Sequence, residues 1–256
     1  MSKRRRFILT SLILSLGLVA IQFIPSQYRY ISIASLGFMA ILFSYWSLYE
    51  GLGFNMTLLT LILPVLFTQG VGFFWFLLPA NTYARIPIFI LYGFGVYALF
   101  LTANIYTVSA IRTIALLRAA RGVGFVLTLL TLFLIFDTIL SFKWPIYYYV
   151  LAVIIISSPL FYQGFWSVEL KKEFSFKTLK TTLVASLIIG EVALALFFWP
   201  VLIVVGSLFL TVTCYMLLGL GQAELEGRLF SQTVREYLLV GIAVFIGMFF
   251  ATHWGG

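Results

Sequence analysis

The sequence predicts an all-α protein, a polytopic bundle of nine transmembrane helices, and three observations carry that reading. Hydrophobic residues fill 62% of the 256 positions and charged residues only 9%, against about 45–50% and about 25% in soluble domains. No globular interior of this size hides so much apolar side chain behind a surface that water accepts. Nine apolar runs of roughly 20 residues follow one another, the length needed to cross about 30 Å of hydrocarbon. The basic residues, finally, sort by side when the loops between those runs are numbered alternately.

The first run, 7–24, is introduced by Lys3, Arg4, Arg5 and Arg6. A basic stretch before an apolar run also describes a signal peptide. This run ends in no small-x-small cleavage site and is long enough to span, so an uncleaved first helix is expected. Cleavage would leave eight spans. Runs 30–48, 56–78 and 86–108 come next, then 122–142, which Arg112, Arg118 and Arg121 introduce. The short connection Ser141–Pro145 turns the chain into 145–166. Residues 181–219 are apolar almost throughout, nearly twice the bilayer thickness at about 1.5 Å per residue. Pro200 lies at the midpoint and disfavours helix in Trp199 before it, which predicts two helices, 181–199 and 200–219. The last run is 237–254. Between the last two, Leu220–Glu236 places Glu224 and Arg228 one turn apart and Leu225 and Leu229 on one face, which suits a short interfacial helix.

With the N-terminus inside, 13 of the 16 Lys and Arg residues fall in inner loops and only Arg29, Arg85 and Lys143 in outer ones. The positive-inside rule requires such a bias. It predicts a cytoplasmic N-terminus and an outer C-terminus. The same rule accounts for the net charge of +8, and nucleic acid is not expected as a partner because the basic residues build no continuous stripe. No loop exceeds about 17 residues, too short for a soluble domain, so residues 1–256 read as a single integral membrane domain.

The residues for most enzyme chemistry are missing. Cys214 is the one cysteine, sits in an apolar run, and reads as a small hydrophobe. With His253 as the one histidine, no zinc or iron–sulfur ligand set is expected. His253 also lies too close to the C-terminus to serve a buried serine as base. No catalytic residue, metal or cofactor is therefore expected.

Glu191 is the ionisable residue nearest the middle of a predicted span, where a charge costs on the order of 2.5–3.5 kcal/mol. It reads either as a proton- or ion-binding carboxyl or as a protonated side chain that links helices through Gln69, Asn104 or a tyrosine hydroxyl. Ser186 and Gly190 precede it at a spacing that admits a neighbouring helix. Asp137 and Lys143 read as side chains reaching the interface. Arg112, Arg118 and Arg121 are candidates for anionic lipid headgroups, each worth about 1 kcal/mol near such a surface, or else simple topology determinants. Pro64 and Pro159 free the carbonyls of Thr60 and Ile155, which a transporter can offer to ions. Gly93 and Gly95 read as close-packing positions. Aromatic residues at span ends, among them Tyr28, Tyr30, Tyr45, Trp46, Trp144, Tyr147, Tyr148, Tyr149 and Trp166, read as interfacial belts.

Two stretches, IRTIALLRAARGVG at Ile111–Gly124 and RLFSQTVRE at Arg228–Glu236, resemble uncharacterised multi-pass bacterial membrane proteins of unknown function. The resemblance implies a bacterial inner-membrane location and supplies no activity or site residue. The leading functional expectation is a non-enzymatic membrane scaffold or complex subunit, with membrane lipids and a membrane-protein partner or a second copy of the chain as its contacts. The alternative is a small secondary transporter or proton-coupled channel in which Glu191 titrates.

Overall fold

In lipid the backbone must satisfy its own hydrogen bonds, so an apolar run of this length becomes a helix. The structure is a computed structural model and describes residues 2–48, 54–78, 82–109, 115–170 and 175–252. Along them the chain forms α1 (Lys3–Ile21), α2 (Arg29–Leu48), α3 (Phe54–Leu77), α4 (Thr82–Ser109), α5 (Leu117–Ser141), α6 (Ile146–Glu169), α7 (Phe176–Phe197), α8 (Ile203–Leu225) and α9 (Ser231–Ala251). No strand occurs among the described residues. Eight of these helices, α2 to α9, are long and apolar enough to cross a membrane. The first turn of α1 is Lys3–Arg6, which sets it apart from the rest.

Each expected run is largely helical among the described residues, but helix and apolar run do not end together. Helix α7 starts at Phe176 rather than 181, because Ser175 caps it by accepting a hydrogen bond from the Thr178 amide at 3.4 Å. The split at Pro200 is found, with α7 ending at Phe197 and α8 beginning at Ile203. The expected interfacial helix in Leu220–Glu236 is not. Residues Leu220–Leu225 continue α8, and the helix then stops in a Schellman turn. The Gly227 amide donates to the Glu224 carbonyl at 3.1 Å and the Arg228 amide to the Ala223 carbonyl at 2.8 Å. Arg228 pairs with Glu226 rather than Glu224. Gly227 holds φ at +70° with nothing within 4 Å of a Cβ built there. Gly227→Ala is therefore expected to cost about 1 kcal/mol through backbone strain alone. Unfolding midpoints in mixed micelles check this, and an unchanged midpoint would mean that the turn is not held left-handed.

Contacts divide the chain into two compact units, 1–131 and 132–256. In the first, α1 packs on α2 and α4, and α3 packs on α2 and α4. Phe7 of α1 stacks on Phe100 of α4, centroids 5.8 Å apart, and Thr10 and Ser47 share a 2.7 Å hydrogen bond between α1 and α2. Gly93 and Gly95 are close-packing positions as expected, Gly93 against Ser15 of α1 and Gly95 against the Phe67 ring of α3. In the second unit, α6 packs on α7 and α8, α7 on α8, and α9 on α8. Helix α9 is held by Tyr237 seated over Gly219 and by the Trp199 indole donating to Thr252 Oγ1 at 2.8 Å. Its one buried residue is Met248.

Lipid adds little drive to bring helices together, so close packing at small residues and inter-helix hydrogen bonds must do it. Buried hydroxyls mostly turn back on their own helices. Thr128, Thr138, Ser157, Thr182, Ser186 and Thr211 each donate to the carbonyl four residues earlier at 2.6–2.8 Å. Their burial is thereby satisfied without any site. The aromatic belt is exposed at Tyr28, Tyr30, Tyr45, Trp46, Trp144, Tyr147 and Tyr148, but Tyr149 and Trp166 turn inward. The Tyr149 ring meets Phe197 of α7.

Candidate functional site

Small residues decide which way α7 faces. Thr182, Ser186, Gly190 and Ala193 form one buried stripe. On it, Ser158 of α6 donates to Ser186 Oγ at 3.0 Å, and a Cβ on Gly190 would sit 2.5 Å from Ile154 Cδ1. The helix that the Ser186–Gly190 spacing admits is therefore α6. Successive residues on a helix are about 100° apart, so Glu191 leaves that seam. It is exposed on the opposite flank of α7, with Leu187, Ile188 and Leu194 exposed nearby. Glu191 lies six residues, about 9 Å of rise, from the Phe197 end of α7. Among the described residues its carboxyl has no hydrogen-bond or ionic partner. Gln69, one linker considered for it, packs its amide against Gly37 of α2.

A different carboxyl side chain is buried among the described residues. Asp137 lies four residues from the end of α5, only 6% exposed. It does not reach outward as the sequence suggested. It turns onto α8, where the Ser207 hydroxyl donates to Oδ1 at 3.3 Å. Ser207 lies four residues inside the start of α8, so both groups sit about 6 Å of helix rise from the helix ends. The same hydroxyl also reaches the Val204 carbonyl at 3.0 Å, and one proton serves both acceptors. Gly206 closes the spot, its Cβ position 3.3 Å from Leu140 Cδ1 and 3.5 Å from Leu196 Cδ2. Side-chain direction produces this pair: Asp137 shares its face of α5 with the buried Leu134 and Thr138. That periodicity was the available signal.

Arg118 and Arg121 lie in the first two turns of α5, Arg118 exposed and Arg121 half-buried. Arg112 lies outside the described residues, as does His253. Cys214 is fully buried. No group of three or more metal-ligating side chains forms among the described residues. Helices α3 and α6 run on through Pro64 and Pro159, and Thr68 Oγ1 donates to the Pro64 carbonyl at 2.8 Å.

A chain with eight described helices long and apolar enough to cross a membrane, whose buried hydroxyls mostly turn back on their own helices, falls by length and composition in the class of α-helical membrane proteins. Within that class it belongs to DUF5656, a family of proteins of unknown function, whose model matches residues 32–251. No curated protein and no solved structure matches it.

Proposed function

We propose that the protein is a non-enzymatic subunit or scaffold of a complex in the bacterial inner membrane. It would cross the bilayer nine times, with the N-terminus in the cytoplasm and the C-terminus outside. The distribution of basic residues supports that orientation. The observation that carries the functional reading is Glu191, a carboxyl exposed among exposed aliphatic side chains on α7. Such a group facing hydrocarbon costs on the order of 2.5–3.5 kcal/mol. A partner helix that brings a hydrogen-bond donor to that depth relieves the cost. The nearly unburied circumference of α9 offers further room for a partner.

Native mass spectrometry of the protein released from its own membrane in a gentle detergent tests this. A second protein at fixed stoichiometry is expected, and Glu191→Leu should lower its occupancy roughly tenfold while Glu191→Gln, which keeps a hydrogen-bonding group, should lower it less. A bare monomer in the wild type would overturn the reading.

A small secondary transporter or proton-coupled channel is the second reading, and the buried Asp137 on Ser207 favours it. It requires that Glu191→Gln or Asp137→Asn abolish coupled flux in reconstituted vesicles without unfolding the protein. Unchanged flux in both variants would remove it.

A further inference from the structure

One end of the 1–131 unit gathers hydrogen-bond donors that have no acceptor. Helix α3 ends there at Leu77, α2 begins there at Arg29, and Arg85 lies in the first turn of α4. The Arg29 guanidinium lies 4.5 Å from the centroid of the Phe76 ring and that of Arg85 5.4 Å from the Trp75 ring. Arg29 Nε, Arg85 Nε and Trp75 Nε1 are all buried and without a hydrogen-bond partner. Trp75 itself is only 2% exposed. Arginine and the tryptophan indole are donors only, so what completes this place must be an acceptor. A guanidinium stacked on a ring keeps its in-plane N–H groups free for a planar or tetrahedral anion.

Charge points the same way. Residues 1–131 contain a single acid, Glu50, which in sequence follows the Leu48 end of α2 and not the Arg29 end. Among the described residues of that unit no carboxylate stands against the two cations. One turn along α4 from Arg85, Phe89 opens a largely apolar groove of about 450 Å³ between α1 and α4. Ser11, Leu12, Ser15, Gly93 and Tyr97 line it further along. That size falls within the range of about 300–1,000 Å³ typical of small-molecule sites.

We propose that this end of the protein binds an anionic phospholipid. The phosphate accepts from Arg29, Arg85 and the Trp75 indole, and one acyl chain lies in the α1–α4 groove. The site is separate from the Arg118 and Arg121 cluster, which follows the opposite end of α4, and it does not depend on Glu191. The groove commits the phosphate to a lipid source, because a free phosphate leaves the apolar half empty.

Delipidated full-length protein in detergent, titrated separately with phosphatidylglycerol, phosphatidylcholine and inorganic phosphate and read by native mass spectrometry, tests it. Phosphatidylglycerol should be retained at least roughly tenfold more tightly than phosphatidylcholine. Arg29→Gln with Arg85→Gln should abolish that preference, since each charge-assisted contact is worth roughly tenfold. Leu12 is exposed, so Leu12→Trp fills the groove from outside and should weaken phosphatidylglycerol without touching the arginines. If the double variant does not fold, Trp75→Phe, which keeps the ring and removes one donor, should still weaken retention several-fold. Equal retention of the two lipids would overturn the proposal. So would displacement of the lipid by millimolar inorganic phosphate, an unaltered affinity in Leu12→Trp, or a second copy of the chain occupying the groove.

Discussion

Replacing Gly221 with leucine is expected to destabilise residues 132–256 by about 3 kcal/mol or more. Gly221 lies on α8 where α6 and α7 both press on it. A Cβ there would sit 2.4 Å from Phe165 Cε1 and 3.3 Å from Thr181 Cγ2. Phe165 is fully buried and stacks on Phe161 with centroids 6.1 Å apart, so its ring has nowhere to retreat. Close-packed interiors answer such crowding with backbone shifts and off-rotamer side chains. Packing is also the main force between these helices, and surrounding lipid does not replace it. Gly221→Ala should cost about 1–3 kcal/mol. Gly122 supplies the control: it is exposed on α5 with nothing within 4 Å, and alanine there should stabilise by up to about 1 kcal/mol through helix propensity. Unfolding midpoints along a rising SDS fraction in mixed micelles measure all three. Equal midpoints for Gly221→Leu and the wild type would mean that α8 does not meet Phe165 at this residue.

The Asp137–Ser207 pair should show strong thermodynamic coupling. Ser207→Val leaves Asp137 Oδ1 buried without its donor, which should cost roughly 1–3 kcal/mol. Asp137→Leu alone should cost less, because the Ser207 hydroxyl still has the Val204 carbonyl at 3.0 Å. The double variant removes both polar groups, and replacement of a whole buried polar pair by apolar side chains is often neutral or stabilising. A double-mutant cycle read by the same midpoints should therefore give a coupling of at least about 1 kcal/mol. Additive single effects would show that carboxyl and hydroxyl are not in contact. A double variant as stable as the wild type but inactive in the cell would establish that the carboxyl is kept for activity rather than stability.

The helices were legible in the sequence because hydropathy and spanning length are one-dimensional properties. Their ends were not, since hydropathy marks where lipid stops and hydrogen bonding marks where a helix stops. Ser175 extends α7 below its apolar run, and Gly227 lets α8 continue to Leu225, where an interfacial helix was expected. The depth of a charged residue was equally legible, its direction less so. Glu191 stands out by its position along the chain, yet the small residues Ser186 and Gly190 bring α6 to another side of α7 and leave the carboxyl exposed. Asp137 stands near a helix end, where the sequence suggests an outward reach, and it is buried. The donors of Arg29, Trp75 and Arg85 come from three separate helices, so no spacing in the sequence could have joined them.

Composition and periodicity alone thus determined that the chain is all-α, that its helices suit a bilayer, and where each one runs to within about two turns. A backbone in lipid has few other ways to satisfy its hydrogen bonds. Which carboxyl turns inward, which hydroxyl meets it and which arginines share one end were decided only by tertiary packing. Azimuth around a helix is set by the neighbour that its small residues admit, and that neighbour lies elsewhere in the chain.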